Sequence, residues 1–247
     1  MIFSCHRSNF TMEGFTESPK LSDIAALKNE SILFVRDLGS GNLVSDGRLP
    51  AGFEPAVRSE LEEGPDLICF SGDKILGAVQ AGIIAGKKEL VSRLRRNPLM
   101  RMIRVDKFTY YILQETLLRY VNGGIERIPF WNMLFQNKKT VSSRISRFFR
   151  LMKNPAAGEI VKRAATRATI GGGAMPGFDM ESMGVQIDIP GLGAGEIYAA
   201  FTSAAVPVVG AIIDGRYTLD FFTILDRDVP PVAEAADFVI TRLHRRQ

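Results

Sequence analysis

Cysteine is scarce in this chain, with Cys5 and Cys69 the two among 247 residues. That excludes a disulfide framework, offers no zinc-ligand spacing, and fits a reducing cytoplasm. No metal site is expected. No apolar run nears the roughly 20 residues that a membrane-spanning helix requires, so no membrane partner is expected. Met1–Arg7 lacks the basic start, apolar stretch and small-residue cleavage site of a signal peptide. Internal repeats and low-complexity segments are absent. The run Gly171-Gly172-Gly173 is not followed by Gly-Lys-Ser/Thr, which leaves it a weak phosphate-binding signal. Aromatic interleaving is thin in the first basic stretch, so base stacking is unsupported.

What is present is enough apolar residue, 46%, to bury a sizeable core in one large or two small domains. The formal net charge of +4 hides an asymmetry. Residues 87–107 hold eight Lys/Arg against two acids, and residues 138–167 hold nine against one. Two basic blocks in an otherwise acidic chain suggest an anionic partner, phosphate or RNA. Two helices with solvated basic faces would give the same count.

The organising stretch is Asp66–Gly86. Leu67–Phe70 and Ala81–Ala85 read as short buried strands around a polar loop that carries Lys74. Ser71, Gly72 and Gly77 permit tight turns, so the lysine projects from a loop. Among apolar strands its amine loses hydration, which favours the nucleophilic form able to make a Schiff base with a carbonyl. A solvated lysine on a surface hairpin is the plainer alternative.

In chain order, Ile2–His6 reads as a strand and Ser22 as the N-cap of a helix to about Asn29. Ile32–Val35 reads as a strand buried on both faces, ending in Arg36-Asp37-Leu38-Gly39. Ligands on open α/β sheets bind at the carboxyl ends of strands, which places Asp37 well for pairing with a pyridine nitrogen; a turn-capping aspartate is the alternative. Residues 45–65 form a loop-rich excursion around a helix at Ala56–Glu63. A helix runs from Lys87 to about Arg96. Arg101 and Arg104, three apart, fall on one face of a helical turn and suit an oxyanion, unless they are simply solvated. Phe108–Val121 reads as an amphipathic helix with Tyr111, Ile112, Leu113, Leu117, Leu118 and Val121 inward. Ser142–Lys153 connects to an α+β part containing a strand at Gly184–Ile189, a helix at Ala194–Thr202, a hairpin about Asp214-Gly215, and a closing helix at Val232–His244. The domains are expected at 1–140 and 141–247.

The wording Phe70-Ser71-Gly72-Asp73-Lys74, Leu76-Gly77 and Gln80-Ala81-Gly82 resembles the cofactor-lysine segment of bacterial selenocysteine synthase, L-seryl-tRNA(Sec) selenium transferase. Asp37-Leu38-Gly39-Ser40-Gly41, the Asn97–Lys107 stretch, Ile128-Pro129 and Gly171–Pro176 are similar to further segments of that family, and His6, Ser8 and Asn9 to a loop facing its cofactor. Here Gly77-Ala78-Val79-Gln80 stands where the family writes Gly-Gly-Pro-Gln. The resemblance covers only the second half of the family's chain. It implies an α/β, fold type I pyridoxal-phosphate transferase architecture, with an incomplete large domain followed by a small α+β domain. It implies pyridoxal 5'-phosphate on Lys74, with Asp73 beside it, and Asp37 and Ser71 as further cofactor contacts. It implies Arg101 and Arg104 on an anionic group of substrate or selenium donor. The activity implied converts seryl-tRNA(Sec) to selenocysteyl-tRNA(Sec) with selenophosphate through an aminoacrylyl intermediate, in a homo-oligomer of dimers or larger rings. A related pyridoxal-phosphate lyase on a small amino acid, and a non-catalytic fragment, are the alternatives.

Overall fold

The computed structural model describes residues 1–7, 12–171 and 173–244. Ser8, Asn9 and Gly172, singled out above, lie outside them. Contacts divide the chain into two units, Met1–Phe135 with Ile170–Phe178, and Gln136–Thr169 with Asp179–Gln247.

The first unit is built on a four-stranded sheet in the order β1-β2-β3-β4. These strands are β1 (Ile2–Cys5), β2 (Phe34–Gly39), β3 (Leu67–Ser71) and β4 (Gly82–Gly86), with α1 (Leu21–Ala25) and α2 (Val57–Glu62) in the connections. β1, β2 and β3 run parallel, and β4 returns antiparallel to β3. The apolar start of β2, Phe34-Val35, and the apolar run Leu67–Phe70 of β3 make this possible, because a parallel strand must tolerate cover on both faces. Ile68 and Phe70, on one face of β3, pack with Leu38, Val57 and Leu76. Then come α3 (Lys88–Arg96), α4 (Leu99–Ile103), α5 (Lys107–Val121) and α6 (Pro129–Leu134). A second cluster gathers Val44, Ile75, Ile128 and Trp131 with Ala174 and Met175. Residues 170–178 thus belong by contact to the first unit, whereas the expected boundary at 141 places the glycine turn in the C-terminal domain.

Three local expectations are corrected. α1 begins at Leu21 after Lys20, with no side-chain cap, so Ser22 is not its N-cap. β2 runs from Phe34 to Gly39 instead of stopping at Val35. α5 buries less than its pattern suggests: Leu113 and Leu117 reach the core, whereas Tyr111 is 64% and Val121 80% exposed. The two inward leucines lie four apart, and a narrow contact of that kind uses one stripe of the helix.

The second unit contains α7 (Lys138–Leu151), α8 (Ala157–Ile160), β5 (Val161–Thr169), β6 (Asp179–Ile187), α9 (Ala194–Thr202), β7 (Ala211–Ile213), β8 (Arg216–Asp220) and α10 (Val229–His244). Its antiparallel sheet has the order β5-β6-β8-β7. Asp214 and Gly215 both take positive φ between β7 and β8, as the expected hairpin turn requires. The core joins Ile145 and Phe148 of α7 to Phe201, Tyr217, Phe221 and Ile240. Phe238 of α10 is 53% exposed. Among the described residues no helix is long and apolar enough to cross a membrane.

Candidate functional site at the carboxyl edge of the parallel strands

Extended strands place alternate side chains on opposite faces, and residues in register share a face. Cys5, Asp37 and Cys69 are register partners across β1, β2 and β3. Asp37 is half-buried there, inside the strand, two residues before its end. Burial, then the Asp37 charge, pushes the Cys69 thiol up from its ordinary value. The β2–β3 register slips between Asp37 and Gly39, which turns the chain into Ser40 and Gly41. A Cβ on Gly41 would sit 2.5 Å from the Phe70 ring, at a φ of +72°, so only glycine fits this bend. Ser40 is fully buried, and its Oγ has no hydrogen-bond partner among the described residues.

Asn42 closes the loop that follows. Its Nδ2 donates to the Glu54 carbonyl at 2.7 Å, and its Oδ1 accepts from the Val44 N–H at 2.8 Å. Its own carbonyl accepts from the Val57 N–H at 2.8 Å. Residues 42–57 are thereby tied back over the sheet's edge, with Glu54 drawn inside.

Lys74 sits one strand over, in the loop between β3 and β4. The Gly72 N–H donates to Ala81 O at 2.9 Å, Ala78 N–H to Gly72 O at 2.8 Å, and Gly77 N–H to Lys74 O at 2.9 Å. A Cβ on Gly72 would meet Val79 O at 2.5 Å, so this close backbone approach requires glycine. Ile75 and Leu76 are both fully buried, in different clusters. They wedge the loop in place and leave Lys74 half-buried beside exposed Asp73. Behind the wedge, Trp131 Nε1 donates to Tyr120 Oη at 2.5 Å, and Tyr120 donates to Leu76 O at 2.8 Å. Burial pushes the Tyr120 phenol up to about 12, so it remains a donor across the working range. The Ser71 hydroxyl donates to the Asp73 carboxylate.

His6 follows β1, its N–H donating to Asp37 O at 2.7 Å. Its Nδ1 is buried and lacks a partner among the described residues. Burial, with the Arg36 charge, lowers its ionisation, and Glu60 opposes this. The neutral imidazole is therefore favoured.

The sequence-derived residues separate into two groups. Asp37, Ser71, Asp73 and Lys74 come from the ends of β2 and β3 and the loop between β3 and β4. Arg101 and Arg104 are exposed on a different segment, and among the described residues no hydrogen bond or ion pair engages either guanidinium. They do not share a helical turn, because α4 ends at Ile103 and Arg104 is extended at ψ 143°. Asp106 starts α5 immediately, its carboxylate accepting from the Phe108 and Thr109 N–H groups, which leaves no room for α4 to continue. Sequence reading missed Ser40, Asn42, Glu54 and Tyr120. Ser40 and Asn42 flank Gly41 in the bend already singled out at Asp37, and that adjacency was the available signal.

A family model for L-seryl-tRNA selenium transferase (SelA) matches residues 1–225. The chain is 33% identical over 245 residues to the L-seryl-tRNA(Sec) selenium transferase of Hyphomonas neptunium, covering 95% of this chain and 51% of that protein. It is 34% identical over 233 residues to the corresponding protein of Clostridium perfringens, covering 93% and 50%. The chain spans about half the length of the curated relatives it matches. Among solved structures it is similar to D-glucosaminate-6-phosphate ammonia-lyase, with TM-score 0.60, 15% identity, and coverage of 97% of this chain and 57% of that one. The fold is that of the fold type I pyridoxal-phosphate enzymes. With the match running through the lysine loop, the bend at Asp37 and most of the second unit, the chain belongs to the L-seryl-tRNA selenium transferase family.

Proposed function

We propose that this chain carries the cofactor-lysine half of a selenocysteine synthase, a cytoplasmic enzyme that converts seryl-tRNA(Sec) to selenocysteyl-tRNA(Sec) with selenophosphate. The observation that carries the reading is Lys74 held by a buried wedge at the carboxyl edge of β3, within the segment that the family model matches. Pyridoxal 5'-phosphate suits the residues present. Asp37 and Ser40 stand at the end of β2 and Lys74 follows the adjacent strand β3, and the orphaned buried hydroxyl of Ser40 calls for a polar partner. When bound there, the cofactor supplies an electron sink for bonds at the α and β carbons of an amino acid.

The chain's own groups then have distinct tasks. Lys74 Nζ is the point of covalent attachment and the base that takes a proton from substrate carbon. The Asp37 carboxylate holds a proton on the ring nitrogen. Ser71 and Asp73, bonded to each other, fix the approach of the lysine loop. Arg101 and Arg104 present exposed guanidiniums to an anionic group of the substrate or selenium donor. A homo-oligomer, dimeric or larger, is part of the same reading.

Borohydride reduction of the full-length protein with pyridoxal phosphate, followed by peptide mapping, tests the assignment. The label is expected on Lys74, and Lys74→Ala is expected to abolish turnover. A label on Lys87, Lys88 or Lys107 would remove the basis of the reading. Turnover of a free small amino acid, with none of seryl-tRNA(Sec), would replace the synthase by a related lyase.

A further inference from the structure

Glu54 is a buried carboxyl to which the proposed function gives no task. One oxygen, Oε1, accepts the Met175 N–H at 3.3 Å, and the other, Oε2, is buried with no partner among the described residues. It borders a cavity of about 360 Å³ shared with His6, Arg7, Phe53, Met175 and Phe178. His6 brings a second buried polar atom without a described partner, Nδ1, to the same cavity. Two such atoms at one opening are costly to maintain unless a polar group enters it.

The charges around Glu54 come from every neighbouring element. Lys74, in the loop after β3, is the cation acting on it, and Glu60 of α2 opposes it. Glu60 is itself held by Arg36 of β2 at 2.8 Å. His6 and Arg7, past β1, line the cavity. Burial is the largest influence and pushes Glu54 up to about 6, against the Met175 N–H and Lys74, which lower it. A carboxyl so placed is half protonated at pH 6 and still about one-tenth protonated at pH 7, far more than an ordinary carboxyl, and a value near the working pH suits a general acid.

We propose that Glu54 is a catalytic residue, the acid that protonates the hydroxyl leaving the substrate while Lys74 takes a proton from the adjacent carbon. This rests on the reading of Lys74 given above. The carbon–hydrogen bond breaks towards Lys74 Nζ, and its electron pair becomes the new carbon–carbon double bond. The carbon–oxygen pair leaves with oxygen, and the Glu54 proton completes a water molecule. The Lys74 ammonium then returns a proton to the Glu54 carboxylate, so both groups are restored and the substrate has lost one water.

The test joins a carboxyl titration to a rate measurement. In the full chain labelled with ¹³C-glutamate, one carboxyl should titrate near pH 6, and that signal should be missing from Glu54→Gln. In the full-length protein with cofactor, Glu54→Gln should lower kcat by about 10²–10⁴-fold, with KM little changed and Glu54→Asp retaining more of the rate. A wild-type Glu54 that titrates below pH 5 overturns the proposal, even if the glutamine variant does not fold. So does a glutamine variant within threefold of wild type while Lys74 still takes the borohydride label. Label on another lysine in the wild type overturns the reading of Lys74 first, and the proposal with it.

Discussion

At the scale of single residues, Asp66 shows how the amino edge of the sheet is fastened, opposite the carboxyl edge that carries the candidate site. Its Oδ2 accepts the Phe34 N–H at 2.8 Å, and its Oδ1 faces Lys28 at 3.0 Å and Lys87 at 2.7 Å. Burial works against its charge, yet the Lys87, Phe34 and Lys28 hydrogen bonds outweigh it and bring the carboxyl down to about 2. A depressed carboxyl stabilises the fold above its unfolded value of about 4, and that stabilisation is lost as pH falls towards 2. Asp66→Asn is therefore expected to cost about 2 kcal/mol at pH 7 and almost nothing near pH 2, measured by urea unfolding across that range. Equal losses at both pH values would show that packing, not charge, is what Asp66 supplies. Lys74 and Asp37 were legible in the sequence because each stands in a short, glycine-marked phrase next to an apolar strand. Asp66 and Glu54 were not. Their roles depend on partners 32 and 121 residues away, and separations of that size leave no local periodicity.

At the scale of elements, the Asn42–Val57 excursion is held by one fully buried side chain. Asn42→Ala would strand the Glu54 carbonyl and the Val44 N–H, at about 1–3 kcal/mol for each buried group left unpaired. A drop in the denaturation midpoint with an unchanged m-value is expected, and an unchanged midpoint would mean that the loop closes without it. Some periodic stretches were read closely, while the alternating strand expected at Gly184–Ile189 begins five residues earlier, at Asp179. The helix at Ala194–Thr202 agrees to the residue, and the lysine loop's two flanking strands differ by single positions, although the second, expected buried, is an edge strand with Gly82, Ile84 and Gly86 exposed. Most of β5 was not legible because Val161–Thr169 mixes three basic residues with small ones, without apolar alternation. α5 was over-read for the opposite reason, since apolar side chains occupy more of its circumference than the sheet covers.

At the scale of the molecule, the two basic blocks differ in how far they are neutralised. In the second, Lys138 pairs with Glu181, Arg144 with Asp226 and Arg167 with Asp179. In the first, no ion pair among the described residues engages Arg93, Arg95, Arg96, Arg101 or Arg104, whereas Lys87 meets Asp66. The first block therefore offers an anionic polymer a run of arginines that no ion pair among the described residues engages. Replacing Arg93, Arg95 and Arg96 by alanine is expected to weaken the binding of a tRNA probe, the partner of the proposed function, and to reduce its salt slope by about 1 per lost phosphate contact. The same change at Lys138 should alter neither, and equal effects from both blocks would show a diffuse field. The assignment of Ile170–Phe178 to the first unit bears on how the protein is made. Ala174 and Met175 complete the cluster around Trp131, yet they are translated after α7, α8 and β5. The first unit cannot finish its core as it emerges from the ribosome; it must wait, with Trp131 and Ile75 under-packed, until Met175 has been synthesised, and a chaperone that recognises apolar surface has that interval in which to act.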